Sequence, residues 1–71
     1  MVKPTRVTNS IRALREQRGL TQAELATQIG VTRQTLIAIE QGKYSPTLEL
    51  AFQISRVFGV GLDAVFQYPE A

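Results

Sequence analysis

The side chains with most to offer chemically stand in one run of the chain. Arg33 and Gln34 follow Thr32 directly, and Ile37 and Ala38 come one helical turn later. An arginine presents two parallel N–H donors to the edge of a guanine, and a glutamine presents a donor and an acceptor to adenine. Isoleucine, alanine and a threonine methyl suit the apolar methyl of thymine. On a helical wheel from Arg33 to Gln41, the residues Arg33, Gln34, Ile37, Ala38 and Gln41 fall on one side, and Thr35, Leu36 and Ile39 fall on the other. An ordinary solvated face would be rich in lysine and glutamate, whereas this one carries a single charge. From the face alone, a surface helix of low charge is an equal reading.

Catalysis finds little to work with. The chain has no histidine and no cysteine, which removes the commonest general base, the commonest metal ligand, thiolate metal sites and disulfides. Its six acids are scattered over separate helix faces and suggest neither a metal site nor a catalytic pair. The run Gly42-Lys43-Tyr44-Ser45 superficially ends like a phosphate-binding P-loop. The lysine is not followed by Ser or Thr, no glycine stands at the required upstream spacing, and no strand precedes it. The expectation is a protein that is not an enzyme, with no cofactor, no metal and no evident small-molecule ligand.

Two short helices with a tight turn between them must position the run. Thr21 with Glu24 three residues later has the form of a capping box at a helix start. Ala23, Leu25, Ala26 and Ile29 then recur at helical spacing. Gly30 stops that helix, Val31 is a buried spacer, and Thr32 caps the next, from Arg33 to Gln41. Helix, glycine-containing turn, helix is the helix-turn-helix arrangement.

From Gln22 to Gln41 the sequence resembles the helix-turn-helix of the lambda-repressor-like group, the Cro/C1 or Xre family of prokaryotic regulators. Small Ala26 stands where the two helices cross, Gly30 lies in the turn, and Leu25, Ile29, Val31, Leu36 and Ile39 are apolar. The likeness extends through LREQRGLTQ before the motif and IEQGKYSPTLELAF after it, and so covers nearly the whole chain. The resemblance implies an all-α, compact five-helix domain that binds double-stranded DNA. It also implies roles for particular residues. Thr32, Arg33, Gln34, Ile37 and Ala38 would face bases or the adjoining backbone, although Ile37 departs from the usual polar residue and could fold against the following loop instead. Gln22, at the first position of the second helix, would add a donor to a phosphate held by that helix's N-terminus. The loop after the recognition helix would follow the DNA backbone, with Lys43, Tyr44 and Ser45 at phosphates, and packing is an equal reading for Tyr44. Arg15 would pair with Glu40 and tie the first helix to the third, a structural role rather than a DNA contact.

The remaining chain supplies the setting. Seventy-one residues allow one domain, residues 1–71. A domain of about this size hides only about 60% of the surface its unfolded chain exposes, so compact helix packing, oligomerisation or both must stabilise it. No apolar run reaches membrane-spanning length and no secretory core opens the chain, so the expected compartment is the cytoplasm. Net charge is +2, but residues 1–18 carry a local +4 and residues 44–71 a local −2, so one end suits a polyanion better than the other. Residues 1–7 read as a flexible arm from which Arg6 reaches a phosphate or is solvated, and 68–71 as a loose tail. A first helix is expected from Thr8 or Asn9 to Arg18, with Ile11 and Leu14 inward. Arg12 and Arg18 at its edges are open to phosphate or to solvent. A fourth helix should run from Thr47 to Phe58, with Leu48, Ala51, Ile54, Ser55 and Phe58 inward, and a fifth from Leu62 to Gln67. Leu50, Phe52, Val57, Leu62 and Phe66 form a surplus apolar flank, which is either a dimer surface or simply covered by the fifth helix. The functional expectation is a homodimeric transcriptional regulator, most simply a repressor, on a near-palindromic operator. Its alternatives are the antitoxin half of a toxin–antitoxin pair and a protein-interaction module without DNA affinity.

Overall fold

Three helices start on a threonine. In the computed structural model, which describes residues 5–43 and 45–69, the hydroxyls of Thr21, Thr32 and Thr47 accept the backbone N–H of Glu24, Thr35 and Leu50 at 3.1, 3.1 and 3.2 Å. Each takes up a donor that a helix start leaves without a partner. Thr21 also has its own N–H bound by the Glu24 carboxylate at 2.9 Å, completing the capping box. These caps open α2 (Gln22–Ile29), α3 (Arg33–Glu40) and α4 (Leu48–Phe58). Helix α1 (Ile11–Gln17) precedes them and α5 (Leu62–Val65) follows.

Glycine closes the two helices of the motif. Gly30 after α2 has φ +74° and Gly42 after α3 has φ +73°. A Cβ at either would meet nothing within 4 Å, so the left-handed backbone, and not lack of space, asks for glycine. At both ends the next residue reaches back along the chain, Val31 N–H to Ala26 C=O and Lys43 N–H to Ala38 C=O, each at 3.0 Å. This is the Schellman closure.

The core lies where the helices meet. Ile11, Leu25, Leu36, Ile39, Ile54 and Val65 are fully buried, one or two from each of the five helices. Ala26, 2% exposed, is part of the same cluster. Each fully buried Leu or Ile contributes about 1.5–3 kcal/mol. Ser55 is buried on α4, and its hydroxyl donates to Ala51 C=O at 3.1 Å. No helix among the described residues is long and apolar enough to cross a membrane.

Both ends of the chain depart from the expectation. Thr8–Asn9 do not begin the first helix but form a strand, β1, antiparallel to β2 (Phe66–Gln67), with Thr8 opposite Gln67 and Asn9 opposite Phe66. The fifth helix therefore stops at Val65, and Phe66 is extended at φ −121°, ψ 141°. A six-residue apolar segment carries too little periodicity to separate helix from strand, and here pairing between distant segments decides. Ser10, the residue before α1, contributes no side-chain cap. The Asn9 carboxamide oxygen accepts from Ile11 N–H at 3.1 Å instead. Arg6, placed on the expected arm, lies with its guanidinium 5.7 Å from the Tyr68 ring centroid, the latter a residue of the expected tail. Residues 1–4 of the arm and 70–71 of the tail lie outside the described residues.

The apolar flank is also redrawn. Leu50, Val57 and Phe66 are half-buried and pack on the core, as does Val60, while Leu62 is half-buried. Leu48, expected inward, is 67% exposed, and Phe52 is 50% exposed. These two stand four residues apart, one above the other on α4.

An ion pair binds α1 to α3. Arg15 Nε lies 3.0 Å from Glu40 Oε2, Nη2 lies 3.4 Å from Oε1, and Nη1 donates to Leu20 C=O at 3.0 Å. The two side chains are only 12% and 6% exposed. Arg18 has a related task at the other end of α1. Its Nη2 donates to Phe58 C=O at 2.6 Å, at the C-terminus of α4, and its guanidinium lies 5.3 Å from the Phe58 ring centroid. A cation there satisfies a terminal carbonyl and matches the negative end of the helix dipole.

Two outcomes follow from these contacts. Removing one member of a buried pair costs about 3–5 kcal/mol, because the other charge is stranded. Arg15→Ala should therefore lower Tm by at least about 10 °C in thermal unfolding, at the roughly 4–8 °C per kcal/mol typical of a domain this small. An unchanged Tm would reject the role. Separately, the Thr21 backbone N–H, and after it the Thr21 hydroxyl, hold the Glu24 carboxyl below its ordinary pKa. The folded pKa is the lower one, so this stabilisation is complete above the unfolded carboxylate pKa near 4.3 and is lost as pH falls through the folded value. Glu24→Gln should flatten the acid limb of stability against pH and leave its slope near pH 7 unaltered, as followed by urea denaturation.

Candidate nucleic-acid interface

Helix α3 has one face in the core and the other in water. Leu36 and Ile39 are 0% and 1% exposed, whereas Arg33 and Gln34 in the first turn are exposed. The Gln34 side chain makes no hydrogen bond among the described residues, so its amide is available to an outside group. Ile37 and Ala38 are half-buried, one turn further along. Ile37 lines an open cleft between α1, the start of α2 and the outer face of α3, with Arg12 and Arg33 also at its walls and the Arg15–Glu40 pair beneath.

Thr32 sits beside this surface, but its hydroxyl is already committed. It accepts from Thr35 N–H and donates to the Thr35 hydroxyl at 2.9 Å. Its methyl is what remains for a neighbour. Thr35, expected inward, is half-buried.

Gln22 is more tightly engaged than a phosphate-binding residue at a helix start need be. Its amide nitrogen donates to Glu40 Oε1 at 3.4 Å, and its amide oxygen accepts from Arg33 Nη2 at 3.4 Å. A chain of contacts thus runs from the Leu20 carbonyl through Arg15, Glu40 and Gln22 to Arg33. Gln22 and Arg33 are 11 residues apart and Gln22 and Glu40 are 18 apart, so no local pattern in the sequence signals either bond. The second N–H of the Gln22 amide is left over, as are the first-turn backbone N–H groups that the Thr21 hydroxyl does not reach.

The positive charge of this face is modest. Arg15 is neutralised by Glu40, and Arg12 has Glu16 at 3.4 Å with both side chains more than half exposed. Such a surface pair is worth little and yields readily to a competing anion. Arg33 and Lys43 form no ion pair among the described residues. Lys43 and Ser45 are exposed in the loop that the Gly42 closure starts, next to the C-terminus of α3. Tyr44, expected beside them, lies outside the described residues. Arg6, stacked on Tyr68, does not line the cleft. Arg18 is occupied at α4, so neither of the two roles left open for it, phosphate contact or free solvation, describes it. No cluster of three or more His, Cys, Asp or Glu residues is present among the described residues.

Comparison with known proteins places this geometry. The family described as helix-turn-helix matches residues 11–65. An uncharacterized HTH-type transcriptional regulator of Methanocaldococcus jannaschii is 48% identical over 62 residues, which is 87% of this chain and 94% of that protein. The cryptic phage CTXphi transcriptional repressor RstR of Vibrio cholerae is 42% identical over 52 residues, 73% of this chain and 47% of the repressor. A crystal structure of a protein from Bacteroides fragilis superposes with a TM-score of 0.78 over 86% of this chain and 98% of its own, and at 20% identity that likeness is one of fold alone. With an exposed first turn on α3, glycine closures on both sides of it, and a family match across all five helices, the chain belongs to the helix-turn-helix family of the Xre and Cro/C1 type.

Proposed function

We propose that the protein binds double-stranded DNA sequence-specifically as a homodimer and regulates transcription, as a repressor. It acts in the cytoplasm on a near-palindromic operator, without catalytic activity, cofactor or small-molecule ligand of its own. The observation that carries this reading is the outward display of Arg33 and Gln34 from a helix whose opposite face is locked in the core. Rigid display matters because a base-reading contact discriminates only if its donor cannot drift to the wrong edge. Relatives named as transcriptional regulators, one of them a repressor, support the same reading.

Size argues for two copies. The described residues measure 32 × 25 × 20 Å, and α3 is eight residues, about 12 Å, long. Successive major-groove half-sites lie about 34–36 Å apart, beyond the reach of one reading helix. A single copy would hold DNA mainly through phosphates, with affinity of about 10⁻⁴–10⁻⁶ M. The exposed Leu48–Phe52 step on α4 supports a contact between copies, since a soluble domain this small has reason to cover it.

Selection of bound duplexes from a random pool tests the proposal, with a two-fold site of two half-sites expected and no enriched sequence counting against it. On the selected site, Arg33→Ala should lose about 1–3 kcal/mol of binding and relax preference at one base pair of each half-site. Lys43→Ala should instead weaken all duplexes alike and lower the salt slope by about one per copy. Sedimentation at micromolar concentration should show a dimer, and Phe52→Glu should give a folded monomer. A wild-type chain that stays monomeric both free and on its site would exclude the homodimer.

A further inference from the structure

The terminal ribbon is more than a tie between chain ends, because one of its side chains reaches α3. The Asn9 amide nitrogen donates to Ile39 C=O at 2.9 Å and to Glu40 C=O at 3.5 Å, 30 and 31 residues away. These carbonyls belong to the last turn of α3, where helix geometry leaves acceptors without partners. Ile39 C=O is shared with Gly42 N–H at 3.0 Å, so the same acceptor serves both the glycine closure and Asn9. The other end of the amide accepts from Ile11 N–H at 3.1 Å, which fixes its orientation. The Asn9 backbone pairs with Phe66, and Ser10 N–H donates to Val65 C=O at 2.8 Å. One half-buried side chain therefore joins the start of α1, the β-ribbon and the C-terminal end of α3.

We infer that Asn9 is a positioning residue for DNA reading: by holding the final turn of α3 and the Gly42–Lys43 closure against the ribbon, it sets how Arg33 and Lys43 stand relative to each other. The inference rests on the DNA-binding reading above. Asn9 touches no DNA in this scheme and contributes no charge. Its effect passes through backbone carbonyls that only a donor can satisfy. Arg15 and Glu40 hold α3 by its side chains from α1, whereas Asn9 holds it by its backbone from the ribbon, so the helix is fixed in two independent ways.

Asn9→Asp isolates the donor. It keeps the shape and the acceptor for Ile11 N–H, and it places a carboxylate oxygen against the α3 carbonyls. Amide hydrogen exchange in the free protein should show protection at Gln41, Gly42 and Lys43 falling about tenfold more than at Leu36 in the same helix. The ratio of affinities for the selected site and random duplex should drop by about tenfold, the size of one lost hydrogen bond to the backbone. Asn9→Ala, which removes the same donor without adding charge, should shift both readouts in the same direction. Protection falling equally along all helices, with discrimination unchanged, would reduce Asn9 to general stability and overturn the inference. Arg33→Ala serves as the internal reference. If it leaves discrimination unaltered, the DNA reading has failed, and the exchange pattern alone then decides whether Asn9 positions the end of α3.

Discussion

A helix of eight residues is not stable by itself in water, since nucleation is unfavourable and so few hydrogen bonds follow it. Helix α3 exists because Leu36 and Ile39 are buried among residues of the other four helices. Every property of its outer face depends on that constraint. The burial sets the rotation of the helix, the rotation sends Arg33 and Gln34 outward, and the Thr32 cap and Gly42 closure define where that outer face begins and ends. A loss of inner-face packing would therefore be felt first on the outer face, where no hydrogen bond among the described residues restrains Gln34.

Polar contacts refine what the apolar core sets up. The Arg15–Glu40 pair is nearly excluded from solvent, and Glu40 hands its second oxygen to Gln22, which in turn meets Arg33. Arg33 thus combines an exposed position with partial restraint, which reduces the conformational entropy lost when a long side chain binds. The same network uses up charge. With Arg15 matched by Glu40 and Arg18 engaged on α4, the basic character of the first eighteen residues is only partly available to a polyanion. Helix N-termini and neutral amides carry a larger share of the surface than the count of arginines suggests.

Two segments far apart in the chain pair beside the helices. Pairing of Thr8–Asn9 with Phe66–Gln67 places strands where helix was expected, and it brings Asn9 to the end of α3. Phe66 turns toward the core, and what remains outside is the Leu48–Phe52 step. A small domain gains from such a closure, because residues near the termini that would otherwise fray become part of the contact set that positions α3.

The helix-turn-helix itself was legible in the residues, because its signals are local. Thr21 with Glu24, Thr32 as a cap, and Gly30 each act within one turn of backbone, and periodicity over the eight residues of α2 and of α3 separates inner from outer face. The outward faces of Arg33 and Gln34 follow from the same periodicity. The Arg15–Glu40 pair was implied by family resemblance, with one local sign, a carboxylate at the negative end of the α3 dipole that invites a cation. Contacts between segments far apart in the chain were not legible: the ribbon, Arg18 on Phe58, Gln22 between Glu40 and Arg33, and Asn9 on Ile39. Sequence alone determined where α2 and α3 start, stop and turn their apolar sides, since capping and amphipathicity are properties of neighbours along the chain. Tertiary structure alone decided which polar groups meet across it, because a donor finds a distant carbonyl only after the core has brought the two together.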